Sequence, residues 1–301
     1  MFKGINTALV TPFKNGAFDE AAFRSLVEWQ IESGIHGLVP CGTTGESPTL
    51  TDEEQLNIIG VCISQAQGRV PVIAGCGSNN TAHAIHLTQM AEQLGASAAL
   101  HVAPYYNKPT QEGLYQHFKA VHDATDIPII IYNIPGRSVV NIADDTMARL
   151  AQLPRIAGIK DSTGDITKPL RLRESCGNGF AQLTGEDALV LPYLAQGGHG
   201  VISVTSNIAP KRCVALYDAW SRGDIATAQA HNRALLPLHD ALFCETSPSP
   251  AKYAASRLGF GNESVRLPLV PASANARARV DAALKSLGIS QKPSAQRAFV
   301  P

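Results

Sequence analysis

Net charge is the first thing this sequence does without: 25 Lys and Arg balance 25 Asp and Glu, giving a formal net charge of +0. Chains that grip nucleic acid or an anionic membrane surface usually carry excess positive charge, so neither partner is expected. Long apolar runs are missing as well. No stretch reaches the roughly 18 consecutive apolar residues of a membrane-spanning helix. Met1-Phe2-Lys3-Gly4 leads straight into a strand-like segment without the charged and apolar regions of a secretory signal, so a cytoplasmic location is expected. The six cysteines (Cys41, Cys62, Cys76, Cys176, Cys213 and Cys244) form no CxxC pair. Their irregular spacing suits buried or half-buried thiols in a reducing compartment. The nucleotide fingerprints GxGxxG and GxxxxGK[ST] are absent: Gly75-Cys76-Gly77 is followed by Ser-Asn-Asn. His83 and His86 stand three apart on a helix-like stretch, but without the Glu of an HExxH site or a third ligand, so no metal is expected.

What is present is apolar content, 45% of the chain, enough for a large core and too much for a disordered chain. At 301 residues the length allows two domains, or one α/β barrel of about 250 residues with an addition. Short apolar runs recur at Asn6–Val10, His36–Pro40, Val70–Ala74, Ala98–Val102, Pro128–Tyr132, Ile156–Lys160, Ala181–Gly185 and Gly200–Val204. Several are apolar throughout, as strands buried on both faces are. Helical periodicity fills the gaps. Phe23, Leu26, Val27, Gln30 and Ile31 trace one stripe of Phe18–Ser33, and Thr51-Asp52-Glu53-Glu54 supplies an N-cap with an acidic first turn. Gly34, Gly68 and Gly95 stand where helices should end. Eight alternating βα units predict a closed (β/α)8 barrel over residues 1–223. From Asp224 the pattern is helical only (Ile225–Phe243, Pro250–Leu258, Ser273–Leu287), predicting a small C-terminal helical extension over 224–301. Its last stretch, Gln291–Pro301, is polar and proline-bearing and is expected to be disordered.

In such barrels the site lies at the C-terminal ends of the strands. Lys160 ends the apolar strand Ile156-Ala157-Gly158-Ile159. A lysine held there away from water loses proton affinity and becomes a nucleophile toward carbonyls. The plain alternative is an amine reaching for water or paired with Asp161. Tyr132 ends the preceding strand, where a phenol can shuttle protons for an amine nucleophile, or can simply be a core aromatic. Thr43 and Thr44 lie in a glycine-flanked turn that can hold a carboxylate, cap a helix, or do both. Arg137 follows a Pro-Gly turn; it suits a bidentate carboxylate contact or a bare surface position.

At this point six ordered motifs coincide with expected strand ends. They are Thr7-Ala8-Leu9-Val10-Thr11-Pro12-Phe13, Gly42-Thr43-Thr44-Gly45-Glu46, Pro104-Tyr105-Tyr106-Asn107-Lys108-Pro109, Tyr132-Asn133-Ile134-Pro135-Gly136-Arg137, Gly158-Ile159-Lys160-Asp161 and Gly197-Gly198-His199-Gly200-Val201-Ile202-Ser203-Val204. With them the chain, from Gly4 to about Leu287, resembles the dihydrodipicolinate synthase family, within the N-acetylneuraminate lyase superfamily of class I aldolases. The resemblance implies condensation of pyruvate with L-aspartate 4-semialdehyde in diaminopimelate and lysine biosynthesis, without a cofactor. It implies Lys160 as the Schiff-base lysine, Tyr132 as proton donor and acceptor, and Thr43 as the link between Tyr132 and Tyr106. The tyrosine at the Tyr106 position reaches in from a neighbouring subunit in the family, which implies a homo-oligomer, expected as a tetramer built from two dimers. Thr44 and the backbone at Ile202 would hold the pyruvate carboxylate, and Arg137 that of the semialdehyde.

Two departures stand out. Ser138 follows the arginine where the family more often has Thr. The second lies at the effector pocket of lysine-inhibited members, which matches Ser47, Asn79, His83 and Tyr105. Histidine at 83 replaces the usual Glu, and Asp52 and Gln55 stand where some sensitive members carry histidines, so weak or absent lysine inhibition is expected. Two rival functions share the scaffold: a sugar-acid aldolase or dehydratase of the same superfamily, and a non-catalytic barrel that senses a metabolite. Arg137 and Tyr106 favour the synthase over the first; a covalent pyruvate adduct would exclude the second.

Overall fold

The computed structural model describes residues 2–289, so the expected disorder of Gln291–Pro301 lies outside the described residues. Eight parallel strands surround one apolar interior: β1 (Gly4–Ala8), β2 (Gly37–Val39), β3 (Ile73–Gly75), β4 (Ala98–Val102), β5 (Ile129–Asn133), β6 (Ile156–Asp161), β7 (Ala181–Thr184) and β8 (Gly200–Ser203). They pair in the order β2-β1-β8-β7-β6-β5-β4-β3. The ring closes between β2 and β3 through a parallel bridge of Leu38 with Val72, and the Leu38 N–H donates to the Pro71 carbonyl at 3.0 Å. This is the (β/α)8 barrel that the sequence predicts. Ala8, Val39, Ile73, Leu100, Ile130, Tyr132, Leu183 and Ile202 fill its interior.

Helices α1 (Glu20–Glu32), α2 (Asp52–Ala66), α3 (Thr81–Gln93), α4 (Gln111–Ala124), α5 (Asp144–Ala151), α6 (Lys168–Cys176), α7 (Val190–Ala195) and α8 (Pro210–Ser221) follow the strands in turn. Three more come after them: α9 (Ile225–Leu242), α10 (Ser249–Arg257) and α11 (Ala274–Ser286). The stripe expected on α1 is buried at Phe23, Leu26, Val27 and Gln30. Thr51 caps α2 in a reciprocal box with Glu54, which satisfies two otherwise unpaired N–H groups. Gly34, Gly68 and Gly95 all have positive φ just past helix ends, where a side chain would be strained.

Strand boundaries move by a few residues. β1 starts and stops two residues earlier than Asn6–Val10, because Leu9 and Val10 leave the regular ladder. The Val10 N–H donates instead to the Asn207 side chain at 3.1 Å. β3 starts late because Pro71 brings no N–H to a ladder. A short antiparallel hairpin, Phe13–Lys14 with Ala17–Phe18, was not expected, although Asn15-Gly16 is its two-residue turn and both residues have positive φ.

Candidate active site

Lys160 and Tyr132 are register partners on adjacent strands, β6 and β5. The Lys160 amine lies 3.9 Å from the centre of the Tyr132 ring. On its other side Lys160 is in register with Leu183 of β7. Leu183 and Tyr132 both belong to the interior cluster, so all three side chains point into the barrel at its C-terminal mouth. Gly185, just past β7, makes room for the lysine stem: a Cβ there would lie 2.9 Å from the Lys160 Cε.

Side chains alternate along a strand, so Asp161 turns away from Lys160. It accepts from the Lys168 amine at 2.9 Å, the Asn133 amide at 3.1 Å and the Thr163 hydroxyl at 2.5 Å. Among the described residues no carboxylate comes within ion-pair distance of the Lys160 amine. The simple pairing of Lys160 with Asp161 is thereby replaced by a pairing of Asp161 with Lys168, a residue the sequence did not single out. Its only signal was a second lysine seven positions on, at the start of α6. Glu186 stands near Lys160, with its carboxyl pushed up mainly by burial, against the pull of the lysine charge.

Thr43 and Thr44 occupy the tight turn after β2. Gly45 N–H donates to the Gly42 carbonyl at 3.0 Å and Glu46 N–H to the Thr43 carbonyl at 3.1 Å. Ile202 is fully buried on β8. Directly after it, Asp187 accepts from the Ser203 hydroxyl, from Val204 N–H at 2.8 Å and from Thr205 N–H at 3.1 Å, which fixes the end of that strand. Arg137 sits on the one-turn helix Pro135–Ser138 and donates to the Ser247 carbonyl at 3.3 Å. Ser138, in place of the commoner Thr, uses its hydroxyl on the Ile134 carbonyl at 2.9 Å and the Val140 carbonyl at 3.0 Å.

A cavity of about 350 Å³ opens over this rim and brings Thr43 and Arg137 together with Ser47, His83 and Tyr105. Asn79 stays beside it, its amide donating to the Tyr105 carbonyl at 3.1 Å. His83 is engaged at both ring nitrogens, with Asp52 at 2.9 Å and Ser78 at 3.2 Å. Tyr106 is 88% exposed and has φ 72. Among the described residues it makes no hydrogen bond to Thr43 or Tyr132, so this chain alone does not close a hydroxyl chain through it. No group of three His, Cys, Asp or Glu side chains among the described residues is arranged to hold a metal ion.

Comparison with known proteins decides the family. The model of the dihydrodipicolinate synthetase family matches residues 1–287. The chain belongs to that family. The chain is 59% identical over 289 residues to the 4-hydroxy-tetrahydrodipicolinate synthase of Rhodospirillum centenum, covering 96% of this chain and 99% of that one. The enzyme of the same name from Bradyrhizobium diazoefficiens is 57% identical over 288 residues, covering 96% and 97%. Among solved structures, the chloride-inhibited dihydrodipicolinate synthase of Acinetobacter baumannii, complexed with pyruvate, superposes with a TM-score of 0.93 at 44% identity, covering 96% of this chain and 100% of that one.

Proposed function

We propose that the chain is a 4-hydroxy-tetrahydrodipicolinate synthase, a lyase that condenses pyruvate with L-aspartate 4-semialdehyde in lysine and diaminopimelate biosynthesis. The observation that carries this reading is the Lys160 amine, packed on the Tyr132 ring at the barrel mouth with its neighbouring carboxylate already taken by Lys168. A buried amine with no carboxylate in ion-pair contact is suited to attack a ketone.

In this reading the Lys160 nitrogen adds to the pyruvate carbonyl carbon and water leaves, giving an iminium. Tyr132 hands its phenolic proton to the departing water, and its oxygen, or a group relayed through it, then takes the proton that the iminium makes the adjacent methyl release. The resulting enamine carbon bonds to the aldehyde carbon of the semialdehyde, whose oxygen takes up a proton and becomes the 4-hydroxyl. The semialdehyde amine then displaces the Lys160 nitrogen, which closes the ring and frees the enzyme. Thr44 and the backbone at Ile202 hold the pyruvate carboxylate; Arg137 holds the carboxylate of the semialdehyde at the rim. Thr43 links Tyr132 to Tyr106. The exposure of Tyr106 supports a second copy supplying or receiving it, in a tetramer made of two dimers. The same reading places the protein in the cytoplasm and divides it into a barrel over 1–223 and an extension over 224–301.

Borohydride reduction in the presence of pyruvate should leave one pyruvate-derived adduct on Lys160 and none in Lys160→Ala. An intact protein that traps nothing would favour a non-catalytic barrel. A sugar-acid lyase would also trap pyruvate, so a coupled assay with pyruvate and aspartate semialdehyde separates the two enzymes. The pocket at Ser47, Asn79, His83 and Tyr105 is read as a weak lysine site at most, because His83 brings no carboxylate of its own and is held by Asp52 and Ser78. Strong inhibition by sub-millimolar lysine in a steady-state assay would overturn that.

A further inference from the structure

The turn that carries Thr43 and Thr44 ends on a residue in a costly conformation. Glu46 has φ 59, in the left-handed region that a side chain with a Cβ normally avoids. Its N–H closes the turn on the Thr43 carbonyl. Its carboxylate leaves the barrel mouth altogether. One oxygen accepts from the Lys252 amine of α10 at 2.6 Å, and the other from the Arg266 backbone N–H at 2.9 Å. The Glu46 and Lys252 side chains are each 1% exposed. The Lys252 amine also lies 4.0 Å from the centre of the Phe13 ring, with the Arg266 guanidinium 4.5 Å from the same ring.

We propose that Glu46 and Lys252 are positioning residues: their buried ion pair fixes the Thr43–Thr44 turn in the geometry that receives pyruvate. Burying two charges is expensive, and an apolar pair of the same size commonly serves packing as well or better. Burial pushes the Lys252 amine down to about 8 against the pull of Glu46, so the pair carries that expense here too. The charges meet at the residue whose left-handed backbone ends the turn. The pair also spans 206 residues of sequence, so the helices after the barrel take part in building its mouth. Arg137 leans on the same region through the Ser247 carbonyl.

This inference rests on the synthase reading, and its test separates the two. Lys252→Met, Glu46→Gln and the double variant are compared with wild type in steady-state kinetics and in the rate of borohydride-trapped pyruvate adduct. Misplacing a binding turn by about 1 Å can cost about 100-fold. The expected result is a loss of about 10- to 100-fold in kcat/KM for pyruvate and in adduct formation, with KM for the semialdehyde unchanged. The double variant should lose little more than the worse single one, since both residues act through one contact. Should a single variant fail to fold, the double variant, which leaves no buried charge unpaired, gives the reading. Val280→Ala, a cavity variant in α11, controls for lost stability and should keep wild-type kinetics. Folded Lys252 and Glu46 variants with pyruvate kinetics within about twofold of wild type would overturn the proposal, as would a loss that Val280→Ala reproduces. A wild-type chain inactive on the semialdehyde would overturn the synthase reading alone, because the trapping rates still decide the role of the pair.

Discussion

Two lysine amines in this molecule rest on aromatic rings at nearly the same distance, Lys160 at 3.9 Å from Tyr132 and Lys252 at 4.0 Å from Phe13. Both are withdrawn from water. What separates them is the carboxylate. Lys252 has Glu46 at 2.6 Å, whereas the acid next to Lys160 in sequence, Asp161, faces the other side of the strand and is paired with Lys168. A buried lysine tied to a carboxylate holds structure. One with no carboxylate within ion-pair distance leaves its nitrogen free to reach a carbonyl. The sharpest way to break this comparison is Lys160→Met. It should reduce condensation by at least about 1000-fold while leaving the thermal midpoint equal to or above that of wild type, because no partner is left behind uncompensated. Circular dichroism melting beside the coupled assay checks both halves. A large loss of stability would mean that Lys160 is structural after all.

That contrast was only half legible in the sequence. The eight-strand barrel could be read, because strands buried on both faces appear as short apolar runs and helices between them carry a 3.6 period. The positions of Lys160, Tyr132, Thr43, Thr44, Arg137 and Ile202 at strand ends followed from the same pattern. The partner of Asp161 was not legible. Alternation along β6 says that Lys160 and Asp161 diverge, but only the fold brings Lys168 back from the start of α6 to take the acid. Lys252 was further out of reach: a lysine in an amphipathic helix gives no sign that it will meet a glutamate 206 residues earlier. Glu46 stood in a recognised motif, yet its left-handed backbone could not be read from a non-glycine residue.

Lys168→Met tests the other half of the comparison, with an effect on stability instead of chemistry. Lys168 and Asp161 are 3% and 2% exposed, so removing the amine leaves a buried carboxylate with only the neutral donors of Asn133 and Thr163. Breaking a buried pair from one side typically costs about 3–5 kcal/mol. Urea denaturation should show a loss of that order, while the folded fraction still forms the borohydride-trapped adduct at Lys160. A variant as stable as wild type would show that Asp161 is neutralised without Lys168. The adduct's disappearance from properly folded protein would show that this pair belongs to the chemistry.

The smallest effect is expected at the outer edge of the clasp, where Arg266 grips Glu54 with both terminal guanidinium nitrogens, at 2.7 and 2.5 Å. That guanidinium is the main reason the Glu54 carboxyl falls from 4.5 to about 2, partial burial working the other way. As pH falls below 4.5 the unfolded chain takes up this proton before the folded one does. The stabilisation from Glu54 is therefore complete above about pH 5 and is lost as pH falls through about 2. With the two side chains 23% and 28% exposed, solvent screening reduces the contribution to about 1 kcal/mol. Glu54→Gln should lower urea stability by about that amount near neutral pH, and the two chains should converge as the medium is acidified. Pyruvate kinetics should stay at the wild-type level, because the Arg266 N–H that reaches Glu46 belongs to the backbone and the Lys252 pair is untouched. A kinetic loss in Glu54→Gln comparable to that of Lys252→Met would move the positioning role outward, from the buried pair to the whole arginine-bearing segment.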